Sequence, residues 1–138
     1  MSGMPTPVTL LDVPGLTPTA QYSYASTVPS GVRLVFLAGT CPLDADGNTV
    51  VVGDVAAQAE ACMANLHTAL AAAGATIENV AQTRVLVASS TQADLVAAWN
   101  VVRDAFGSHD VPSTLMGVAA LGYTGQLVEI EAVAAVVD

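Results

Sequence analysis

The sequence contains no lysine, and its only fixed cations are Arg33, Arg84 and Arg103. Twelve Asp and Glu residues stand against these three, which gives a formal net charge of −9 at pH 7. A protein that binds DNA or RNA needs a basic face whose phosphate contacts release counterions. The charge balance therefore argues against a nucleic-acid partner and is more simply explained by solubility.

Cysteine is also scarce, because Cys41 and Cys62 are the only two thiols. Two cysteines alone make neither a disulfide framework nor a metal site, and we predict no metal. The sequence shows no glycine-rich phosphate loop and no nucleophile elbow. No apolar run reaches the roughly 18–20 residues of a membrane helix, and the N-terminus lacks a basic signal-peptide region. These absences predict a cytoplasmic protein with no membrane partner.

The length of 138 residues fits one domain with its own core. Residues 1–20 carry four of the seven prolines and show little periodicity. We predict a loose N-terminal arm over residues 1–20 and a folded domain over residues 21–138.

The most regular pattern runs from residue 54 to residue 74. Its large apolar residues recur at helical spacing on one face: Val55, Cys62, Leu66 and Leu70. Asp54 is a suitable N-cap, and Gly74 suits the left-handed residue that ends many helices. The pattern predicts a helix with one buried face, around which the remaining elements are arranged.

A second helix is predicted from residue 91 to the stop at Gly107, with a similar apolar stripe. Strands are predicted over residues 21–28, 33–40, 80–88, 114–121 and 126–137, with a short edge strand over residues 49–52. Two of these strands each follow a helix, which favours parallel pairing through crossovers, with hairpins at the ends. The predicted fold class is α+β, with one mixed sheet and two helices packed on one face.

Two helices can cover only one face of such a sheet. Residues 33–40 are nevertheless apolar or small on both faces, with Leu34 and Phe36 on one side and Val35 and Leu37 on the other. A large uncovered apolar face usually marks an interface. We therefore predict an obligate homo-oligomer that buries the second face.

Two carboxylates, Glu129 and Glu131, alternate with apolar residues in the last predicted strand and should share the interface face. A carboxylate there is costly unless it is paired or hydrated. Either of them could be a general acid/base in a pocket between subunits, or could pair with an arginine at a wet rim. Arg84, alone in a central strand, would pair with one of them or clamp a substrate carboxylate. The structural pair is the favoured interpretation.

Two further polar positions leave the interpretation open. Cys41 follows Gly39 and Thr40 in a turn where small residues let a ligand approach the backbone. A catalytic thiol needs a nearby base, and neither His67 nor His109 is locally placed, so a small buried residue is favoured. Asn100 lies off the second helical stripe and is either a ligand contact or an ordinary surface residue.

Several segments, taken in order and spacing, resemble the RidA/YjgF family, the reactive-intermediate deaminases. The resemblance covers residues 20–136 and rests on these segments: Tyr22–Ala25, Phe36–Asp44, Asp54–Ala59, Asn65–Leu66, Ala72–Gly74, Trp99–Asn100, Ala105–Phe106, Pro112–Thr114 and Val128–Ala132. It implies a chorismate-mutase-like fold and a homotrimer whose sheets form a central barrel. It also implies ligand clefts between subunits and cofactor-free hydrolysis of small enamine or imine metabolites.

The resemblance also implies site residues. Glu129 matches the glutamate that positions the attacking water, and the segment Gly39–Cys41, which includes Thr40, is expected to line the cleft. Tyr22 and Asn100 match ligand-orienting residues of the family.

The family pattern is broken at Thr114, where active deaminases carry an arginine that grips the substrate carboxylate. Loss of such a grip costs about 2–5 kcal/mol in a desolvated site. Three explanations follow. Arg84 supplies a displaced cation, the substrate lacks a carboxylate and Thr114 donates a neutral hydrogen bond, or the cleft binds a metabolite without catalysis. We predict deaminase-like chemistry on a substrate other than 2-aminoacrylate, with a non-catalytic metabolite-binding or regulatory trimer as the alternative.

Overall fold

The computed structural model describes residues 6–138, and its central helix, α1, runs from Val55 to Ala72 as the periodicity predicts. Oδ1 of Asp54 accepts a hydrogen bond from the backbone N–H of Ala57 at 3.0 Å, which caps the first turn. Gly74 follows the helix with φ of +76°, a conformation that glycine adopts without steric cost. None of the helices in residues 6–138 is long and apolar enough to cross a membrane.

The main sheet has four strands: β3 (Arg33–Phe36), β4 (Val80–Val87), β5 (Ser113–Gly117) and β6 (Val128–Val136). Their spatial order across the sheet is β3-β6-β4-β5. Strands β4 and β5 pair in parallel, joined by the second helix, α2 (Gln92–Phe106), which confirms the predicted crossover. The expected C-terminal hairpin is wrong, because β4 lies between β5 and β6 and pairs with β6 itself.

The N-terminal region differs most from expectation. A separate two-stranded antiparallel sheet joins β1 (Thr9–Leu11) to β2 (Ala25–Thr27). The predicted hairpin between the first two strands is therefore wrong, because β2 pairs with β1 whereas β3 pairs with β6. The predicted arm thus contains a strand, while its residues 1–5 lie outside the described residues. The edge strand expected at residues 49–52 is reduced to one bridge between Leu43 and Thr49.

The two helices cover one face of the main sheet, as predicted. The inward residues of the two central strands are almost fully buried against them: Val80, Val85 and Val87 of β4, and Val128, Ile130, Ala132 and Ala134 of β6. On the other face, Phe36 is 76% exposed and Leu34 is 45% exposed. We call this second face, with Leu34, Phe36, Arg84 and Glu131, the open face. Its apolar character is the feature that the sequence predicted.

A bulge interrupts the pairing of β3 with β6. Phe36 lies opposite Val133, but Thr40 lies opposite Ile130, so four steps on one chain match three on the other. Thr40 and Ile130 exchange both backbone hydrogen bonds, at 2.7 and 3.1 Å. The extra residue explains why the predicted strand 33–40 stops early, and such a bulge re-aims the neighbouring residues.

A buried amide joins α1 to the segment that leads into β6. Gln58 is fully buried, its Nε2 donates to the carbonyl of Gly125 at 2.9 Å, and its Oε1 accepts the N–H of Leu127 at 2.7 Å. A buried polar side chain is tolerated only when its hydrogen bonds are made. Gln58 therefore fixes residues 125–127 relative to the helix.

We expect Gln58→Ala to lower the free energy of unfolding by about 2–4 kcal/mol, because it leaves the Gly125 carbonyl and the Leu127 N–H buried without their partner. Urea unfolding followed by circular dichroism measures the change. Gln92→Ala is the matched control, since Gln92 is an exposed glutamine on α2. Equal stabilities of the two variants would contradict the structural role of Gln58.

Candidate functional site

The carboxylate of Glu129 lies in a contact network on the end of β6 near the bulge. Its Oε1 accepts hydrogen bonds from Sγ of Cys41 at 3.2 Å and from Nε2 of Gln126 at 3.3 Å. Its Oε2 lies against Gly39, where an added Cβ would be 2.5 Å away. Only glycine therefore fits at position 39 with the carboxylate in this place, which brings Gly39, Cys41 and Glu129 together as the sequence suggested.

The thiol of Cys41 is held in its neutral form. Burial, the hydrogen bond to Glu129 and the charge of that carboxylate together raise its pKa to about 11, against a smaller lowering by Gln126. A thiol with this pKa is protonated at neutral pH and is a poor nucleophile. Cys41 is thus a hydrogen-bond donor here, and a covalent role for it is disfavoured.

A cleft of about 600 Å³ lies on the edge of the sheet beside β5. Its lining residues come from the N-terminal segment, α2 and β5: Thr19, Gln21, Tyr22, Trp99, Ser113, Thr114 and Leu115. The rings of Tyr22 and Trp99 meet edge to face with centroids 6.3 Å apart. Two of the predicted site residues, Tyr22 and Thr114, therefore share a partly aromatic cleft.

Gln21 connects the N-terminal segment to α2 at this cleft. Its Oε1 accepts hydrogen bonds from Nε1 of Trp99 at 2.8 Å and from Nη1 of Arg103 at 3.1 Å. Oδ1 of Asn100 accepts a second hydrogen bond from the same Nη1, at 3.1 Å. Asn100 is exposed and does not line the cleft of this single chain.

Arg84 lies between Thr114 and Glu131 in a row across three strands of the open face. Its Nη1 is 3.8 Å from Oε1 of Glu131, and both side chains are substantially exposed. Such a pair contributes between 0 and about 1 kcal/mol to stability, because water screens it. The structural pair favoured from the sequence, Arg84 with Glu131, is therefore present. Arg84 also lies directly opposite Thr114 on the neighbouring strand.

The other two arginines also contact carboxylates. Nε of Arg33 lies 2.9 Å from Asp138, and Nη2 of Arg103 lies 3.0 Å from Asp104. Residues 6–138 include every arginine of the chain, so each fixed cation of the sequence has a carboxylate partner.

Five of the predicted site residues fall into two groups within one chain. Glu129, Gly39 and Cys41 form one group, whereas Tyr22 and Thr114 belong to the cleft beside β5. Strand β4 separates β6 from β5, and Glu129 lies two residues along β6 from Glu131, which is in register with Thr114. The backbone positions of Glu129 and Thr114 are therefore about 12 Å apart. A single chain thus presents an acid/base group and a ligand cleft without joining them.

Gln126 is the site residue that sequence reasoning missed. It is only 4% exposed, and its Nε2 donates both to Glu129 and to the carbonyl of Val128. The available signal was a glutamine at the start of the predicted strand 126–137, three residues before a candidate catalytic carboxylate. His109 has a structural role, because the residue is buried and its Nε2 forms a 2.8 Å hydrogen bond with the backbone carbonyl of Val80.

No group of three or more metal-ligating side chains is found among residues 6–138. The Glu129 carboxylate can accept and return a proton, while the Gln126 amide and the Cys41 thiol donate hydrogen bonds to it. The cleft beside β5 can hold a small molecule by aromatic and hydroxyl contacts. These groups suit acid/base chemistry on a small ligand better than phosphate binding.

Comparison with known families places this geometry in context. Residues 15–136 match the sequence model of the family described as Endoribonuclease L-PSP. Protein DfrA of Myxococcus xanthus is 41% identical over 66 residues, which is 48% of this chain and 50% of that protein. The chain therefore matches only about half the length of this curated relative.

Solved structures match over nearly the whole chain. The Yersinia pestis protein YyfB, a protein of unknown function of the conserved Rid family, is 29% identical with a TM-score of 0.87, covering 95% of this chain and 100% of its own. Rv2704 of Mycobacterium tuberculosis, a member of the YjgF/YER057c/UK114 family, is 30% identical with a TM-score of 0.62. That match covers 94% of this chain and 99% of the other.

We expect Glu129→Gln to lower the pKa of Cys41 from about 11, because a neutral amide no longer opposes the negative thiolate. Burial still opposes ionisation, so the pKa should stay above that of a free thiol. Iodoacetamide alkylation of Cys41, followed across pH 7–11 by peptide mass spectrometry, measures the thiolate fraction. Alkylation at pH 8 should be several-fold faster in the variant.

The matched control is Glu131→Gln, two residues along the same strand and on the same face. It removes an equal charge from a side chain that does not contact Cys41, so the alkylation profile should keep its wild-type midpoint. Identical profiles for the two variants would mean that the Cys41–Glu129 contact does not set the thiol pKa.

Proposed function

The chain belongs to the Rid/YjgF family, also described as Endoribonuclease L-PSP, and from that premise we propose that it hydrolyses small imines or enamines that lack a carboxylate. The single observation that carries this proposal is the Glu129 carboxylate, whose Oε1 accepts hydrogen bonds from Cys41 and Gln126 while its Oε2 packs against Gly39, where no Cβ stands in the way. A carboxylate presented in this way can take and return one proton.

The proposed reaction adds water across the C=N bond. The reacting form is the protonated imine, the iminium. Oε2 of Glu129 accepts a proton from water as the water oxygen bonds to the iminium carbon, which gives a neutral carbinolamine. The carboxyl group then returns that proton to nitrogen, and as the C–N bond breaks the carboxylate takes the hydroxyl proton, so that a carbonyl compound and ammonia leave. Ammonia or solvent takes this last proton and restores the carboxylate. An enamine enters the same sequence after protonation on carbon gives the iminium. General acid/base catalysis of this kind contributes typically 10²–10⁴-fold.

The substrate class follows from the charges. A carboxylated substrate would need a free cation, but each of the three arginines contacts a carboxylate, and Thr114 is neutral. The chain carries a net charge of −9, which repels anions and attracts cations. A neutral imine, or its protonated iminium form, therefore suits this site better than 2-aminoacrylate. The same charge balance disfavours RNA as a substrate, despite the family description.

The assembly that we propose is a homotrimer in which the open faces meet in a central barrel. The exposed Phe36 and Leu34 support burial of this face. Subunit contact would also supply the missing connection between Glu129 and a ligand cleft, since the sheet edges β3 and β5 are free to approach a neighbouring chain. Clefts between subunits are thus the proposed reaction sites.

We expect wild-type protein to release ammonia from imines formed by oxidation of small primary amines, and to turn over 2-aminoacrylate poorly. Glu129→Gln should lower kcat by about 10²–10⁴-fold, whereas Glu60→Gln, on the exposed side of α1, should match wild type. Thr114→Arg should increase turnover of carboxylated imines by supplying a charge-assisted grip. Coupled ammonia assays measure all four proteins.

Three outcomes would change the proposed function or the residues assigned to it. Full activity of Glu129→Gln would remove that residue from the chemistry. Efficient wild-type turnover of 2-aminoacrylate that is lost in Arg84→Ala would place the carboxylate grip on β4. Binding of the imines' stable amine analogues without turnover of any imine would identify a non-catalytic metabolite-binding trimer.

We expect Phe36→Asp to dissociate the oligomer, because it puts a charge into the proposed interface. Sedimentation velocity should give a trimer for wild type and a smaller species for the variant. Val96→Asp is the control, since Val96 is a 43% exposed apolar residue on α2, away from the open face. A monomeric wild type, or equal sizes for all three proteins, would contradict the proposed assembly.

A further inference from the structure

We infer that Gln126 and Cys41 are positioning residues that hold Oε1 of Glu129 and leave Oε2 as the oxygen that exchanges the proton with substrate. This inference rests on the proposed function and adds two residues to it. Neither side chain needs to touch the substrate, because both act through the carboxylate.

The geometry divides the two oxygens of Glu129. Oε1 receives both donors, from Cys41 at 3.2 Å and from Gln126 at 3.3 Å. Within residues 6–138, no side chain donates to Oε2, which packs against Gly39 because that residue has no Cβ. A carboxylate held at one oxygen has a defined rotation, so its second oxygen points in a fixed direction.

Gln126 is itself held in place, which is what allows it to orient another group. Its Oε1 accepts the backbone N–H of Tyr123 at 3.1 Å, and its Nε2 also donates to the carbonyl of Val128 at 3.1 Å. The residues on either side are fixed by Gln58, through Gly125 and Leu127. A donor that cannot rotate loses little entropy when it binds the carboxylate, and such preorganisation favours catalysis.

Cys41 is held from the opposite side. Nδ2 of Asn65, on α1, donates to the carbonyls of Cys41 and Leu43 at 2.8 and 3.1 Å. The backbone around the thiol is therefore attached to the helix that also carries Gln58. Both donors to Glu129 are thus fixed relative to one rigid element, α1.

The test compares Gln126→Leu, Cys41→Ala and Cys41→Ser. We expect Gln126→Leu and Cys41→Ala each to lower kcat about tenfold, with KM changed less than about twofold, since the substrate itself keeps its contacts. Cys41→Ser should recover most of kcat, because its hydroxyl still donates.

Val80→Ala separates positioning from stability. Val80 is fully buried and lies opposite Ala134, at the end of β4 away from Glu129. Its truncation leaves a cavity that lowers stability, but it removes no donor from Glu129. Its kcat should stay close to that of wild type at temperatures where the variant is folded. A fall in kcat in Val80→Ala equal to that in Gln126→Leu, or unchanged kcat in both Gln126→Leu and Cys41→Ala, would overturn the inference.

A measurement that does not depend on catalytic turnover tests the positioning contact separately from the proposed function. The side-chain amide signal of Gln126 in a ¹H–¹⁵N spectrum should shift in Glu129→Gln and stay in place in Glu131→Gln. If wild type hydrolyses no imine but the amide responds, the positioning contact stands and the proposed function fails. If wild type is active and the amide does not respond, the positioning role is wrong.

Discussion

The packing of α1 against β6 is the contact on which the rest of the structure depends. Val128 and Ile130 of β6 are fully buried beneath Cys62, Leu66 and Leu70 of the helix. Successive strand residues point to opposite faces. The burial of Val128 and Ile130 therefore directs Glu129 and Glu131 away from the core. The direction of the candidate catalytic carboxylate is therefore a consequence of core packing, and no further interaction is needed to turn it away from the core.

The same helix supports the site through polar contacts. Gln58 fixes the segment that contains Gln126, and Asn65 fixes the backbone of Cys41. Buried amides with complete hydrogen bonding specify one arrangement, because any alternative leaves polar groups unpartnered. Stability and site geometry thus share their determinants on one face of α1, whereas the Tyr22–Thr114 cleft depends on α2 and the N-terminal segment.

The sequence predicted the two α-helices, five of the six strands found in residues 6–138 and the uncovered apolar face, because each leaves a local periodic signal. It also predicted that Glu129, Gly39 and Cys41 lie together, from their resemblance to a family pattern. It missed the separate β1–β2 sheet and the place of β6 between β3 and β4. Strand order depends on pairings between residues far apart in the chain, for which short-range periodicity carries no information.

By itself, the sequence determined the class of fold, the acidic character that disfavours nucleic acid, and the absence of an arginine at position 114. These properties belong to single residues or to local spacing. Only the tertiary structure decided that every arginine contacts a carboxylate, that a bulge brings Gly39 against Glu129, and that Gln126 donates to the same oxygen as Cys41. The reason is physical: hydrogen bonds and steric contacts of a few ångströms join residues up to 105 positions apart, and only the folded chain brings them within reach.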